Sequence, residues 1–453
     1  MTRAFSICAL LLHLPFATKA AVQGTFNVLS YNVAGLPEPL SSGEPAKDTP
    51  LISPRLGPFN VVHVQEDFHY HSQLYAADNH PSRTSTSGDV PFGSGLNTLS
   101  DFPFTDLKRV TWNKCFINEA DCLTPKGFTF MRVRIADGAW VDFYNLHADA
   151  GDAAGDATAR ASNLAQVAAA INSWSPGIPV LVFGDTNLRY TASDSNTLAT
   201  FVSSAGVKDL WVELQRGGEA PASGSSGIDC PRPFPAGTTQ AQMDACEIVD
   251  KIFYKSSPAL TLTATDYQNE NLAFVDSASD PLSDHFPISG TFSWQLSSSI
   301  RLGDPSGGEQ GSLFNDIPAV LADQVPRITS VTIRGGSRVD AVMFTAAYPG
   351  GATTTVAHGG SGGSPNTLTL ASGERITQMR VCTGTHLLEK RVFFLKLTTN
   401  QGRTLSSGAS TSTCIDSAVP TDAGVGGEWG LVAFWGRKNS EIRKLGAIWG
   451  AAY

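Results

Sequence analysis

Four short apolar runs in the first two-thirds of the chain each end in a polar signature, and this pattern constrains the fold more than composition does. The runs cover residues 26–30, 61–64, 140–144 and 179–183 and have strand character. The signatures that close them are Tyr31-Asn32, Gln65-Glu66, Asn145-Leu146-His147 and Gly184-Asp185-Thr186-Asn187, and a fifth, Ser283-Asp284-His285, follows later. Carboxylates, amides and imidazoles at successive strand ends gather at one rim of a sheet. There they can hold a hard cation and attack a phosphate.

The order and wording of these signatures resemble the endonuclease/exonuclease/phosphatase superfamily over roughly residues 24–296. The resemblance implies an α/β (α+β) four-layer sandwich, with two packed mixed β-sheets flanked by helices, and a Mg²⁺-dependent hydrolysis of a phosphate ester by in-line water attack. Phosphodiesters repel nucleophiles, so catalysis needs a cation, a base for water and a partner for the departing oxygen. Glu66, at the end of its apolar run, is the leading metal ligand, supported by Asn32, with Asp284 near the ion. Carried over from the family, Asp185 positions the attacking water and Asn187 donates to a phosphoryl oxygen. His285 is the base, because an imidazole titrates near neutrality. Asp250, in Ile248-Val249-Asp250-Lys251, is the family position that orients it, and His147 binds a phosphoryl oxygen.

Length and composition bound the rest. The chain of 453 residues has room for two or three domains. A net charge of −9 without a long basic run weakens the case for a high-affinity nucleic-acid binder, which needs clustered cations. Arg3 followed by an apolar stretch to Ala17 and by Thr18-Lys19-Ala20 reads as a secretory leader cut near Ala20, so the protein is expected to be secreted and extracellular. One of the seven cysteines, Cys8, goes with the leader. The remaining Cys115, Cys122, Cys230, Cys246, Cys382 and Cys414 argue for disulfides in an oxidising compartment. Pairing sequence neighbours is the simplest of the connectivities.

Ala154 to Trp174 is Ala-rich and reads as a helix. Residues 81–95 and 217–239 read as Gly/Ser/Pro-rich loops, and 297–311 as a Gly/Ser linker. Beyond it, short strand-like runs alternate with Gly and Ser. This part resembles the jacalin-related lectins, through Gly307-Gly308-Glu309-Gln310-Gly311, His358-Gly359-Gly360-Ser361-Gly362-Gly363 and Phe434-Trp435-Gly436-Arg437. The resemblance implies an all-β β-prism over 312–453, after a leader over 1–20 and a catalytic domain over 21–296. In that family an Asp after the Gly-Arg pair holds sugar hydroxyls, and the register places Arg443 there. Arg is a donor only. Arg437, Lys438, Arg443 and Lys444 make the loop locally basic, so the expected ligand is a cell-surface glycan or an anionic surface.

The cysteine-bounded segment from Cys115 to Cys122, followed by Lys126-Gly127-Phe128, resembles the sphingomyelinase-type phospholipases C. The expected substrate is therefore a phospholipid or another phosphodiester, with peripheral membrane contact. A secreted deoxyribonuclease I-like endonuclease, with nucleic acid as substrate, and a non-enzymatic carbohydrate-binding protein are the alternatives.

Overall fold

The computed structural model describes residues 21–117, 121–192, 196–321, 324–421 and 428–452. The expected leader over 1–20 lies outside them, as do Asn118, Glu119 and Ala120 of the cysteine-bounded segment.

Two six-stranded sheets pack face to face in the N-terminal part. The first runs, in spatial order, Leu260–Asn269, Ile288–Leu296, Gln23–Asn32, Val61–Gln65, Asn97–Ser100 and Ser82–Arg83. The second runs Phe104–Thr111, Gly127–Ala136, Ala139–His147, Val180–Asp185, Asp250–Lys255 and Lys208–Asp209. Their facing sides supply one apolar core, in which Val28, Val61, Phe143 and Phe183 are buried. His63 belongs to this filling: its ring stacks on Phe183 at 3.7 Å, and burial pushes its pKa down to about 3. The helix Ala154–Trp174 covers the outer face of the second sheet with Leu164, Val167 and Ile171 buried beneath it.

Each sheet contains one parallel pair, and those pairs decide where the polar signatures meet. Gln23–Asn32 runs parallel to Val61–Gln65 with Asn32 opposite Gln65. Ala139–His147 runs parallel to Val180–Asp185 with His147 opposite Asp185. Parallel neighbours deliver their C-terminal ends to the same edge, so four signatures converge on one rim. Both strands of the second pair are buried along their whole length, as parallel strands covered on two faces are. Gly184 is required there, since a Cβ would sit 2.2 Å from the Leu146 carbonyl oxygen.

The C-terminal part is three antiparallel sheets around one core that includes Val331, Phe344, Leu395, Phe434 and Trp449. Alternation produces it: in Arg327–Gly335, Ile328, Val331 and Ile333 face inward. Residues 297–311, read as a linker, instead carry the strands Ile300–Leu302 and Ser306–Gly307. Both pair with Ile442–Ala452 and belong to the β domain.

The seam between the two parts is itself buried. Trp140, Ile178 and Ala259 join the core of the β domain, and Trp140 meets Trp435 edge-on at 5.6 Å. Asp106 stands in the bulge of Phe104–Thr111 and accepts from Arg437 at 2.6 Å and from Lys444 at 2.9 Å. Glu309 accepts from the Thr105 hydroxyl at 2.7 Å and the Asp106 N–H at 3.0 Å. Burial alone would raise the Asp106 carboxyl, but Lys444, Arg437 and Arg132 outweigh it and hold it below the usual range. These contacts correct the reading of the 436–445 loop as a basic surface for an anion. Arg437 and Lys444 are consumed by Asp106, and Arg443 pairs with Glu389 at 2.6 Å and Glu441 at 3.5 Å. All three are buried.

Candidate active site

The rim opposite the seam brings together most of the residues singled out in the sequence. Asp185 lies at its centre and is fully buried. Its Oδ2 accepts from the Asn32 amide at 3.2 Å, so the two sheets are joined across the site. The same oxygen is 3.3 Å from His147 Nε2 and 3.6 Å from His285 Nε2. Its Oδ1 accepts from the Asn187 N–H at 2.9 Å, which holds the turn after the strand. Asn187 has a left-handed φ of 51° and spends one amide hydrogen on the Ala148 carbonyl at 3.1 Å. Its second amide hydrogen is left for a ligand.

Asp250 is registered directly beside Asp185. It accepts from His285 Nδ1 at 2.9 Å, which fixes the tautomer and leaves Nε2 facing Asp185. Burial would lower the His285 pKa, but Asp250 and Asp185 outweigh it and push the imidazole well above its ordinary value. His147 is the opposite case. Burial first, then Lys126 and His285, hold it well below its ordinary value, so it is neutral. Its Nδ1 is buried without a partner, so Nε2 carries the proton toward Asp185.

Glu66 follows Val61–Gln65 with a φ of 56°, a left-handed conformation that costs on the order of 1 kcal/mol in a non-glycine residue. Gly35 permits it: its N–H binds the Glu66 carbonyl at 3.1 Å, where a Cβ would stand 2.6 Å away. The Glu66 Oε1 accepts from Asn32 at 3.2 Å and lies 4.0 Å from His147 Nε2. Burial raises the Glu66 carboxyl, and Lys126 opposes the shift.

The expected ligand set Glu66, Asn32 and Asp284 is gathered only in part. Asn32 and Glu66 touch; the Asn32 Oδ1 accepts from the Ala34 N–H at 3.1 Å with one lone pair left over, and its amide donates to Glu66 and Asp185. Asp284 accepts from the Ser42 hydroxyl and lies close enough for its charge to raise both Glu66 and His285. Among the described residues the tightest group of potential ligands is instead Asp185, Asp250 and His285, within 4.8 Å of one another. Within this group one hydrogen bond joins His285 Nδ1 to Asp250.

A cavity of about 560 Å³ opens beside this rim, with Glu66 and Lys126 among its lining residues. Lys126 pairs with Asp121, whose other oxygen accepts from the Ala150 N–H at 2.7 Å. The disulfide Cys115–Cys122 closes the segment beside it, and the disulfides Cys230–Cys246 and Cys382–Cys414 are also formed. Sequence reasoning missed Asp121 as a member of this wall. It also missed that Gln65 and Asn145 are structural: Gln65 donates to Asn145 at 2.8 Å, and Asn145 donates to the Val64 and Asn97 carbonyls.

Residues 49–228 match the endonuclease/exonuclease/phosphatase family 2, and residues 303–448 match the jacalin-like lectin domain. Sphingomyelinase of Mycobacterium tuberculosis is 41% identical over 275 residues, which are 59% of this chain and 52% of that protein. Horcolin of Hordeum vulgare is 30% identical over 158 residues, 33% of this chain and 97% of horcolin.

The chain joins an endonuclease/exonuclease/phosphatase family domain to a jacalin-like lectin domain.

It spans about half the length of the curated sphingomyelinases it matches. Among solved structures, sphingomyelinase C from Streptomyces griseocarneus is 21% identical with a TM-score of 0.41, over 59% of this chain and 99% of that one. The strand-end rim lies in the endonuclease/exonuclease/phosphatase domain, and the seam loops lie in the jacalin-like domain.

Proposed function

We propose that this chain is a secreted phosphodiesterase that depends on Mg²⁺ or a similar hard divalent cation and cleaves sphingomyelin-type phospholipids. The observation that carries the reading is the convergence of Asn32, Glu66, His147, Asp185, Asp250 and His285 on one rim beside an open cavity. Similarity to sphingomyelinases over 275 residues supports the substrate class.

The donor set fits a hard cation. Glu66 is a carboxylate at the cavity wall with one oxygen held by Asn32, and Mg²⁺ needs only one or two carboxylates because it keeps several waters. When bound, the ion supplies positive charge that polarises the phosphoryl group and offsets the surplus of carboxylates. The remaining work falls to the chain. Asp250 holds the His285 ring by its Nδ1–H; the carboxylates that raise the imidazole are the charges a bound cation offsets, and with them offset Nε2 is the atom that takes a proton from water. Asp185 orients that water from the neighbouring strand end. His147 is neutral, so its Nε2–H, which faces Asp185 at 3.3 Å, is a donor shared with a phosphoryl oxygen that adds no competing charge. The second hydrogen of the Asn187 amide is a further donor of the same kind.

The test measures phosphocholine released from sphingomyelin alongside nicking of plasmid DNA, each with Mg²⁺ and with EDTA. Phosphocholine release that EDTA abolishes is expected. DNA nicking without phosphocholine release would replace the substrate assignment, and full activity after exhaustive EDTA dialysis would end the metal assignment.

A further inference from the structure

The two histidines of the rim are steered differently. His285 is held through its ring, because Nδ1 donates to Asp250 at 2.9 Å. His147 has no such handle: its Nδ1 is buried without a partner. The partner of the second ring nitrogen is what ordinarily sets an imidazole's orientation. The placement of the His147 ring therefore falls to the backbone that carries it, and that backbone lies at a strand end. Pairing of Ala139–His147 with Gly127–Ala136 stops at Leu146, opposite Phe128. On the other side the ladder runs one step further, to His147 opposite Asp185. The His147 carbonyl accepts from a side chain, the indole Nε1–H of Trp112, at 2.7 Å.

Trp112 is itself tied down on several sides. Its own N–H donates to the Lys126 carbonyl at 3.0 Å. Gln166, on the helix Ala154–Trp174, grips the chain before and after it. The Gln166 amide oxygen accepts from the Asn113 N–H at 2.9 Å, and the amide nitrogen donates to the Thr111 carbonyl at 3.1 Å. The indole is buried in the core of the sandwich and packs on Phe128 with ring centroids 5.6 Å apart. Its one polar atom, a donor only, goes to His147.

We propose that Trp112 is a positioning residue for the reaction: the bond from its indole N–H to the His147 carbonyl fixes the strand end and so aims the His147 ring at the phosphoryl oxygen. The inference rests on the reading of the rim as a phosphodiesterase site. Trp112 is not among the residues lining the cavity beside the rim, and its two bonds there go to main-chain carbonyls, so it acts through His147 rather than on the substrate. Without the N–H, a carbonyl at a strand end is left to find another donor, and its peptide can tilt. The ring rides on that peptide's Cα, and a misplacement of about 1 Å at a reacting group can cost about 10²-fold in rate. His285 is insulated from such a tilt, since Asp250 steers it from the start of another strand.

The experiment uses the full chain with Mg²⁺ and a water-soluble chromogenic phosphodiester. Trp112→Phe keeps an aromatic ring in the core and removes the N–H. It should lower kcat roughly 10-fold, within the range for a displaced reacting group. The deciding measurement is the same change in a His147→Ala background, where it should lower kcat by less than about twofold, because the group it positions is gone. Equal losses in both backgrounds would mean that Trp112 only packs the core, and an unchanged kcat in Trp112→Phe would mean that the bond aims nothing; either result overturns the proposal. Gln166→Ala serves where Trp112→Phe does not fold. It leaves the core intact and loosens the grip on Trp112, so it should lower kcat about threefold, and only where His147 is present. No loss in Gln166→Ala overturns the proposal in the same way. Nitrogen NMR spectra of isotope-labelled histidine rings give a readout without turnover: the His147 signals should shift in either variant while those of His285 stay in place. Unchanged His147 signals overturn the positioning. A wild type that hydrolyses no phosphodiester ends the enzymatic reading, and the histidine spectra then decide the positioning alone.

Discussion

The two ends of the catalytic sandwich both bury carboxylates, and they treat them in opposite ways. At the seam, Asp106 meets Arg437 and Lys444 within hydrogen-bond distance, and its carboxyl is held below the ordinary range. At the rim, Asp185 is raised by burial and by Asp250 against the pull of His285, and Glu66 is raised by burial against Lys126. Asp149, just after His147 in the chain, accepts from the Phe116 N–H and is pushed up to about 6 by burial and by Asp121 and Asp156. A buried charge that is neutralised in place holds structure together. A cluster with more carboxylate than cation is poised for something the chain does not itself supply, which is how perturbed groups mark functional sites.

The largest expected effect tests the rim. His285→Ala should lower turnover by at least ~10²-fold, and Glu66→Gln should do so comparably, while both proteins melt near the wild-type temperature. Asp250→Asn should lower turnover as well, because the imidazole loses its acceptor. Near-normal turnover of His285→Ala at neutral pH would remove it from the chemistry. The next effect tests the seam and should show the reverse. Asp106→Ala leaves Arg437 and Lys444 buried beside no anion, and breaking a buried pair this way costs about 3–5 kcal/mol. Calorimetry should show a much lower melting temperature, with turnover on a soluble phosphodiester unchanged where the protein is still folded. Unchanged melting would mean that the seam is not part of the folded unit.

The two ends were also unequally legible in the sequence. Glu66, Asp185 and His147 could be read because each closes an apolar run, and strand ends of parallel pairs share an edge. Their company made them readable; Asp185-Thr186-Asn187 alone is an ordinary turn. What the sequence cannot say is which way the Asn32 amide points; here its hydrogens go to Glu66 and Asp185 and its oxygen accepts from the Ala34 N–H. The seam left no local trace. Asp106 stands inside a strand, and its partner Arg437 is 331 residues away, in the strand Glu428–Lys438, whose basic end reads in the sequence as a free surface. Pairing at that distance is a property of packing. The strands at 300–302 and 306–307 were hidden for a related reason: Ser and Gly composition resembles a linker, and only their pairing with Ile442–Ala452 makes them strands.

A smaller effect sharpens the contrast without mutation at the seam. Millimolar Mg²⁺ should raise the melting temperature of wild type, because a ligand that binds only the folded state stabilises it, by about 2.7 kcal/mol at a hundredfold excess over its Kd. The rise should vanish in Glu66→Gln and persist in Asp106→Asn. A rise of equal size in Glu66→Gln would place the ion elsewhere.

The smallest effect is on acid stability, and the signs at the two ends differ. Asp149 has its folded pKa raised from 3.8 to about 6, so the folded state binds that proton more readily than the unfolded chain. The cost of keeping it charged is relieved as pH falls from above 6 toward 3.8, which favours the folded state in that window. Asp106 is depressed below 3.8, so its contribution is complete above that value and is lost as pH falls through the folded pKa. One proton changes stability by at most about 1.4 kcal/mol per pH unit, so the two limbs are modest. The comparison of wild type with Asp106→Asn isolates the seam, because rim groups titrate alike in both. Their melting temperatures should differ most at neutral pH and converge below pH 3.8, where wild type protonates Asp106 and loses the same charge. A gap that stays constant from pH 7 to pH 2 would show that Asp106 contributes shape rather than charge, and the contrast between the two ends would then rest on the rim alone.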